Sequence, residues 1–113
     1  MPDTQAATPE SSAGDNRLKI SGEVLELSAL RRTPAGVPVQ GFRFSHQSQQ
    51  VENGLAREVS VELEAIAIGP LALFARQAVM GTQVRLEGFL AQKSLRNTKP
   101  ILHVESIEFL EGH

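Results

Sequence analysis

Seven residues near the C-terminal end, Lys93-Ser94-Leu95-Arg96-Asn97-Thr98-Lys99, hold three cations and no acid. Clustered basic side chains suit phosphate, because each neutralised phosphate of a nucleic-acid backbone releases condensed counterion. A second run, Arg31-Arg32-Thr33-Pro34-Ala35-Gly36-Val37-Pro38, places two arginines beside a proline–glycine reversal. The two runs carry five of the chain's 11 basic residues and no acid. Exposed turns carry lysine and arginine for solvation alone, and either run by itself reads no further than that. A binding surface requires a fold that brings both runs to one face.

Other chemistry finds little support in the residues. His46, His103 and His113 form no i, i+4 pair, and there is no cysteine, so no metal constellation is read. Glu62 and Glu64 share one strand face, the usual pattern of a solvated face. No nucleophile elbow, triad or phosphate-binding glycine loop is present, so neither an enzyme nor a cofactor is expected. Base stacking on aromatic side chains is worth roughly 1–3 kcal/mol per base. This chain has no Trp or Tyr and five Phe. Phe42, Phe44 and Phe74 are assigned to the core, and Phe89, out of phase with its apolar neighbours, is exposed or at an interface. Binding would therefore rest on charge and depend steeply on salt.

At 113 residues the chain accommodates one domain. Residues 1–15 hold Asp3, Glu10 and Asp15 with no Lys or Arg, so a formal net charge of −2 leaves 16–113 at +1. The 1–15 segment lacks the apolar content to offset its ordering entropy and is read as a disordered acidic tail preceding the domain at 16–113. It has no basic n-region or apolar run, so it is not a signal peptide. No stretch is long enough to span a membrane. A cytoplasmic location fits the absence of cysteine.

The basic runs must be positioned by strands. Leu18, Ile20, Gly22 and Val24 alternate with polar residues, predicting a first strand from Leu18 to about Leu30. A turn over 31–38 leads to a second strand from Val39 to about His46, with Phe42 and Phe44 on one face. Residues 47–55 are polar and contain the reversal signal Asn53-Gly54. Val59, Val61, Leu63 and Ala65 predict a third strand. After Gly69-Pro70 the period changes: Leu71, Phe74, Ala75, Ala78 and Val79 predict an amphipathic helix of two to three turns that stops at Gly81. Val84, Leu86, Gly88 and Leu90 predict a fourth strand. A fifth, from about Ile101 to Leu110, carries apolar residues of both parities, so neither face is plainly solvent, a pattern that hints at an interface without proving one. Five strands with one short helix between the third and fourth specify an all-β, five-stranded OB-fold barrel. Gly22, Gly41 and Gly88 fit the tight bends of such a barrel. OB-folds bind ligands across strands 2–3 and the loops 1–2 and 4–5, which here are the two basic runs.

From Asn16 onward the chain resembles the primosomal replication protein N (PriB) family, bacterial relatives of single-stranded DNA-binding protein. The resemblance is carried by Asn16-Arg17-Leu18, Ser21-Gly22-Glu23-Val24, Thr33-Pro34-Ala35-Gly36-Val37-Pro38, Phe42 with Ser45-His46-Gln47-Ser48, Glu52-Asn53-Gly54, Glu87-Gly88-Phe89-Leu90, and Leu102-His103-Val104-Glu105 with Ile107-Glu108. It implies a homodimer of OB-folds that binds single-stranded DNA and acts in replication restart with the helicase PriA and with DnaT. It places the family's basic loop on Lys93, Arg96 and Lys99, and a further basic position on Arg31. Arg32 joins these from the turn, and Arg57 is an outlying candidate. Two aromatic DNA-contacting positions of the family stand here as Leu55 and Ser60, a basic position as Gln47, and the loop holding Lys93 to Lys99 is shorter. These departures motivate a second reading, a primosome adaptor whose main ligand is a protein and whose DNA binding is weak or vestigial.

Overall fold

The structure, a computed structural model, describes residues 14–110. The expectation of a disordered tail over 1–15 falls largely on residues 1–13, outside the described part. Gly14 and Asp15 are exposed and irregular.

The elements run β1 (Leu18–Leu27), β2 (Arg31–Arg32), β3 (Pro38–Glu52), β4 (Leu55–Ile68), α1 (Pro70–Ala75), β5 (Gln83–Gln92) and β6 (Pro100–Phe109). Strand pairing goes β1–β5–β6–β4–β3 and returns from β3 to β1, closing a five-stranded barrel, with the two-residue β2 laid on β3. Closure depends on one short parallel contact, Ala65↔Leu102 and Ile66↔His103, between β4 and β6. The other pairings are antiparallel. The OB-fold architecture expected from element order is therefore present, with the helix in the expected place.

Period-2 patterning builds the core. Val24, Phe42, Phe44, Ala65, Ala67, Val84, Leu86, Leu102 and Val104 are buried in one cluster. Phe42 faces Ala65 across the β3–β4 ladder, so large residues meet small ones as the barrel tapers. Two glycines are required by close approach. A Cβ on Gly22 would lie 2.3 Å from the Ser45 carbonyl oxygen, and one on Gly88 would lie 1.9 Å from that of His103. Gly41 is not required in this way: its nearest neighbour would be 3.5 Å off, an ordinary contact.

Four boundaries differ from the sequence expectation, each for a physical reason. The β3–β4 hairpin is paired without interruption from Val39↔Ile68 to Glu52↔Leu55, well past His46 and Val59. Beyond the barrel both of its faces meet solvent, so hydrophobic alternation vanishes while the ladder continues. Its tip keeps the expected reversal: Asn53 and Gly54 have φ of 54° and 77°, the two positive values of a type I′ turn. The first strand ends at Leu27 rather than near Leu30, after a bulge at Leu25. Arg31 and Arg32 pair with Val39 and Pro38, so the turn proper spans 33–37.

The helix is a single short element, Pro70–Ala75, that tightens through i→i+3 bonds from Gln77 and Ala78. It buries the small residues Ala72 and Ala75, and Ala78 is buried in the turn that follows. Val79 is 66% exposed, and Phe74 lies at the rim, stacked on Phe109 with centroids 4.9 Å apart. The last strand also reads differently. Gly88 pairs with Val104 and Glu87 with Ser106, so Glu105 is bulged out. The bulge flips parity, and Leu102, Val104, Ile107 and Phe109 all join one core. Its two-sided pattern thus comes from a bulge and needs no interface.

Candidate nucleic-acid interface

The closed barrel brings the two basic runs to the same outer face. Between them lies an open groove of about 610 Å³, floored by the outward residues of β3 and β4. Ser28, Ala29 and Arg31 form one wall, and Lys93, Ser94 and Asn97 the other.

Each wall is held by specific bonds. The loop joining β5 to β6 closes on itself. The Lys93 N–H donates to the Lys99 carbonyl (2.9 Å) and the Ser94 N–H to the Asn97 carbonyl (3.1 Å). The Ser94 hydroxyl accepts from the Asn97 N–H, and the Asn97 side-chain oxygen from the Lys99 N–H, both at 3.0 Å. Lys93 and Lys99 therefore stand side by side at the loop base, while Leu95, 94% exposed, and Arg96 occupy its tip. The opposite wall is anchored by Gln40, 2% exposed, whose amide donates to the carbonyls of Ser28 (2.6 Å) and Gly41 (2.8 Å). A buried amide with both protons used fixes the chain just before Arg31.

The six residues singled out from the sequence are not equivalent. Arg31 and Lys93 line the groove from opposite sides. Lys99 is joined to Lys93 through a shared carboxylate, that of Glu64, whose Oε1 lies 2.9 Å from Lys93 Nζ and Oε2 2.8 Å from Lys99 Nζ. Arg96 is exposed, and among the described residues neither it nor Arg31 has a carboxylate partner. Arg32 turns to its own loop and donates to the Gly36 carbonyl at 3.0 Å. Arg57 sits on the hairpin, bound to Glu52 at 2.5 Å. It lies seven residues from Glu64 along β4, about 24 Å at strand spacing.

Sequence reasoning missed the acids of this face. Glu64 reaches the lysines from β4, across separations of 29 and 35 residues. Arg43, on the groove floor, is held between Glu62 (2.8 Å) and Glu26 (3.2 Å). Glu62 and Glu64 had the visible signal of sharing a strand face; their parity, opposite to Leu63 and Ala65, puts that face on the outside of the barrel at the groove. The hydrogen bond from Lys99, then that from Lys93, pulls the Glu64 carboxyl down from 4.5 to about 2, so it is ionised at neutral pH. Arg31, Arg43, Lys93 and Lys99 thus face Glu26, Glu62 and Glu64, and the groove is only weakly positive.

Aromatic surface is scarce. Phe42 borders the groove yet is only 6% exposed. Phe89 is half-buried and stacked on His103, with centroids 5.1 Å apart and rings within 8° of parallel. Leu55, 70% exposed, and Ser60 lie on the projecting hairpin. His46 is engaged by the Ser21 carbonyl and the Ser48 hydroxyl, each at 2.8 Å. No group of three potential metal ligands occurs among the described residues, and none of the described helices is long and apolar enough to cross a membrane.

Residues 16–106 match a family described as another single-strand binding protein family. Replication restart protein PriB of Bordetella pertussis is 37% identical over 97 residues, covering 86% of this chain and 91% of the relative. PriB of Nitrosomonas europaea is 37% identical over 102 residues, covering 90% and 94%. The solved structure of PriB from Ralstonia solanacearum superposes with a TM-score of 0.80 at 31% identity, covering 87% of this chain and all of that one. The wild-type single-stranded DNA binding protein from Thermus aquaticus shares the fold, with a TM-score of 0.71 at 24% identity over 88% of this chain and 52% of that one.

Proposed function

We infer that this chain, which belongs to the PriB family of replication restart proteins within the single-strand binding proteins, binds single-stranded DNA as a non-enzymatic accessory of the replication-restart primosome. The observation that carries the reading is the groove in which Arg31 and Lys93 face each other across the outer surface of β3 and β4. Lys93, Lys99 and Arg31 take backbone phosphates within it. Arg96 at the loop tip and Arg32 at the opposite rim extend the track, and Arg57 meets a longer strand along the hairpin. Bases lie over the polar outer face with little to stack on, so charge supplies most of the affinity.

The family resemblance extends the reading to a homodimer acting in the cytoplasm, bridging to the helicase PriA and with DnaT as a further partner. The direct test is a titration of a labelled single-stranded oligonucleotide at low salt, followed by fluorescence anisotropy. Saturable binding is expected, and its absence contradicts the reading.

One observation favours the second reading, a primosome adaptor with vestigial DNA binding: Glu26, Glu62 and Glu64 offset much of the groove's positive charge. Under it, PriA binds the chain equally well after Lys93, Arg96 and Lys99 are changed to Ala. Under the first reading, the DNA-dependent part of that association falls away.

A further inference from the structure

We propose that Glu64 is a built-in competitor for the phosphate site, its carboxylate occupying the place between Lys93 and Lys99 that a backbone phosphate must take. The proposal rests on the single-strand reading above and assigns a residue that sets the affinity of that site.

The geometry carries it. One carboxylate offers an oxygen to each ammonium, at 2.9 and 2.8 Å, and the two lysines are brought together by the self-closed loop. Two ammonium groups each bound to a different oxygen of one anion is the arrangement they would make around a tetrahedral backbone phosphate. Glu64 also lines the groove itself, beside Arg43 in the β3–β4 register, so a strand lying in the groove passes directly over it. With Glu64 ionised, the trio carries a net charge of +1 where the lysines alone would carry +2. An incoming phosphate meets a carboxylate that must be displaced or shared, and the lysines release less counterion than their number suggests. The hydrogen bonds from Lys99 and Lys93 hold the carboxyl's pKa down at about 2, well below the neutral range in which the competition operates.

The test compares wild type, Glu64→Gln and Glu58→Gln in titrations with a fluorescein-labelled oligothymidylate over a range of salt. Glu58 is the control for bulk charge. It lies on the same strand face, accepts from Gln49 at 3.3 Å, and touches neither lysine. Glu64→Gln should tighten binding by about three- to tenfold, in keeping with a partly exposed ion pair relieved. Its salt slope should steepen by about 0.7, one further phosphate neutralised. Glu58→Gln should stay within about twofold of wild type, the scale of a screened charge outside the contact. The gain should vanish when Lys93 and Lys99 are also changed to Ala. Unchanged or weaker binding by Glu64→Gln would make the carboxylate a brace for the lysines and overturn the proposal. An equal gain in Glu58→Gln, or a gain that survives loss of both lysines, would overturn it too. Binding by no variant contradicts the single-strand reading itself, whereas equal binding by all contradicts only the competition. Circular dichroism checks the fold, and Glu64→Ala supplies the same charge change should the glutamine variant not fold.

Discussion

Glu64 illustrates how much a single side chain can alter a surface. Its two oxygens bind two lysines that lie 29 and 35 residues away in the chain. The same contacts contribute stability, each worth about 0.2–1 kcal/mol for partly exposed pairs. Because the folded carboxyl is depressed from 4.5 to about 2, this stability is fully present above pH 4.5 and is lost as pH falls through 2. Urea unfolding should therefore show wild type more stable than Glu64→Gln by about 1 kcal/mol at pH 7, with the gap closing between pH 4.5 and pH 2. A gap that stays constant over that range would show that the carboxyl is not held by the lysines. Lys93, Arg96 and Lys99 were legible as a cluster because they are close in sequence. Their acidic partner was not, because only β4 register brings it under the loop.

At the level of elements, the β5–β6 loop and the segment before β2 hold the groove's two walls by different means. The loop is braced by its own Ser94 and Asn97 and contributes nothing to the core. Changing Lys93, Arg96 and Lys99 together to Ala should leave the melting temperature within a few degrees, as expected of exposed charges, while single-strand binding weakens; a collapse in stability would mark the loop as structural. The other wall depends on Gln40. Gln40→Ala removes the amide's bonds to the carbonyls of Ser28 and Gly41 and should cost about 0.5–1.5 kcal/mol for each, with faster hydrogen exchange over 28–32. Unchanged exchange there would show that the amide does not hold the wall. Strand and helix order was readable from periodicity, whereas lengths were not. The hairpin outran its pattern where both faces became wet, and the helix stops at Ala75, where the bonds from Gln77 and Ala78 tighten to i→i+3; the side chains it buries are Ala72 and Ala75 rather than Phe74 and Val79. The bulge at Glu105 left its trace in the sequence as mixed parity, a signal that an interface would produce equally well.

Across the whole molecule, barrel closure converts two basic runs, more than 50 residues apart, into facing walls. Recognition of the fold from element order made their proximity foreseeable, since an OB-fold places these two loops at one mouth. The depth of charge compensation was not foreseeable, because it depends on which strand acids face outward beneath them. The central claim is that the residual positive charge of this groove takes the phosphates of single-stranded DNA. Its most direct test is the salt dependence of oligonucleotide binding by the wild-type chain and by the variant lacking Lys93, Arg96 and Lys99. For the wild type, log K should fall with log salt by at least about 1.4, two phosphates or more on a single strand, and the variant's slope should be shallower by about 0.7 or more. A wild-type slope near zero, or identical slopes for the two proteins, would contradict it.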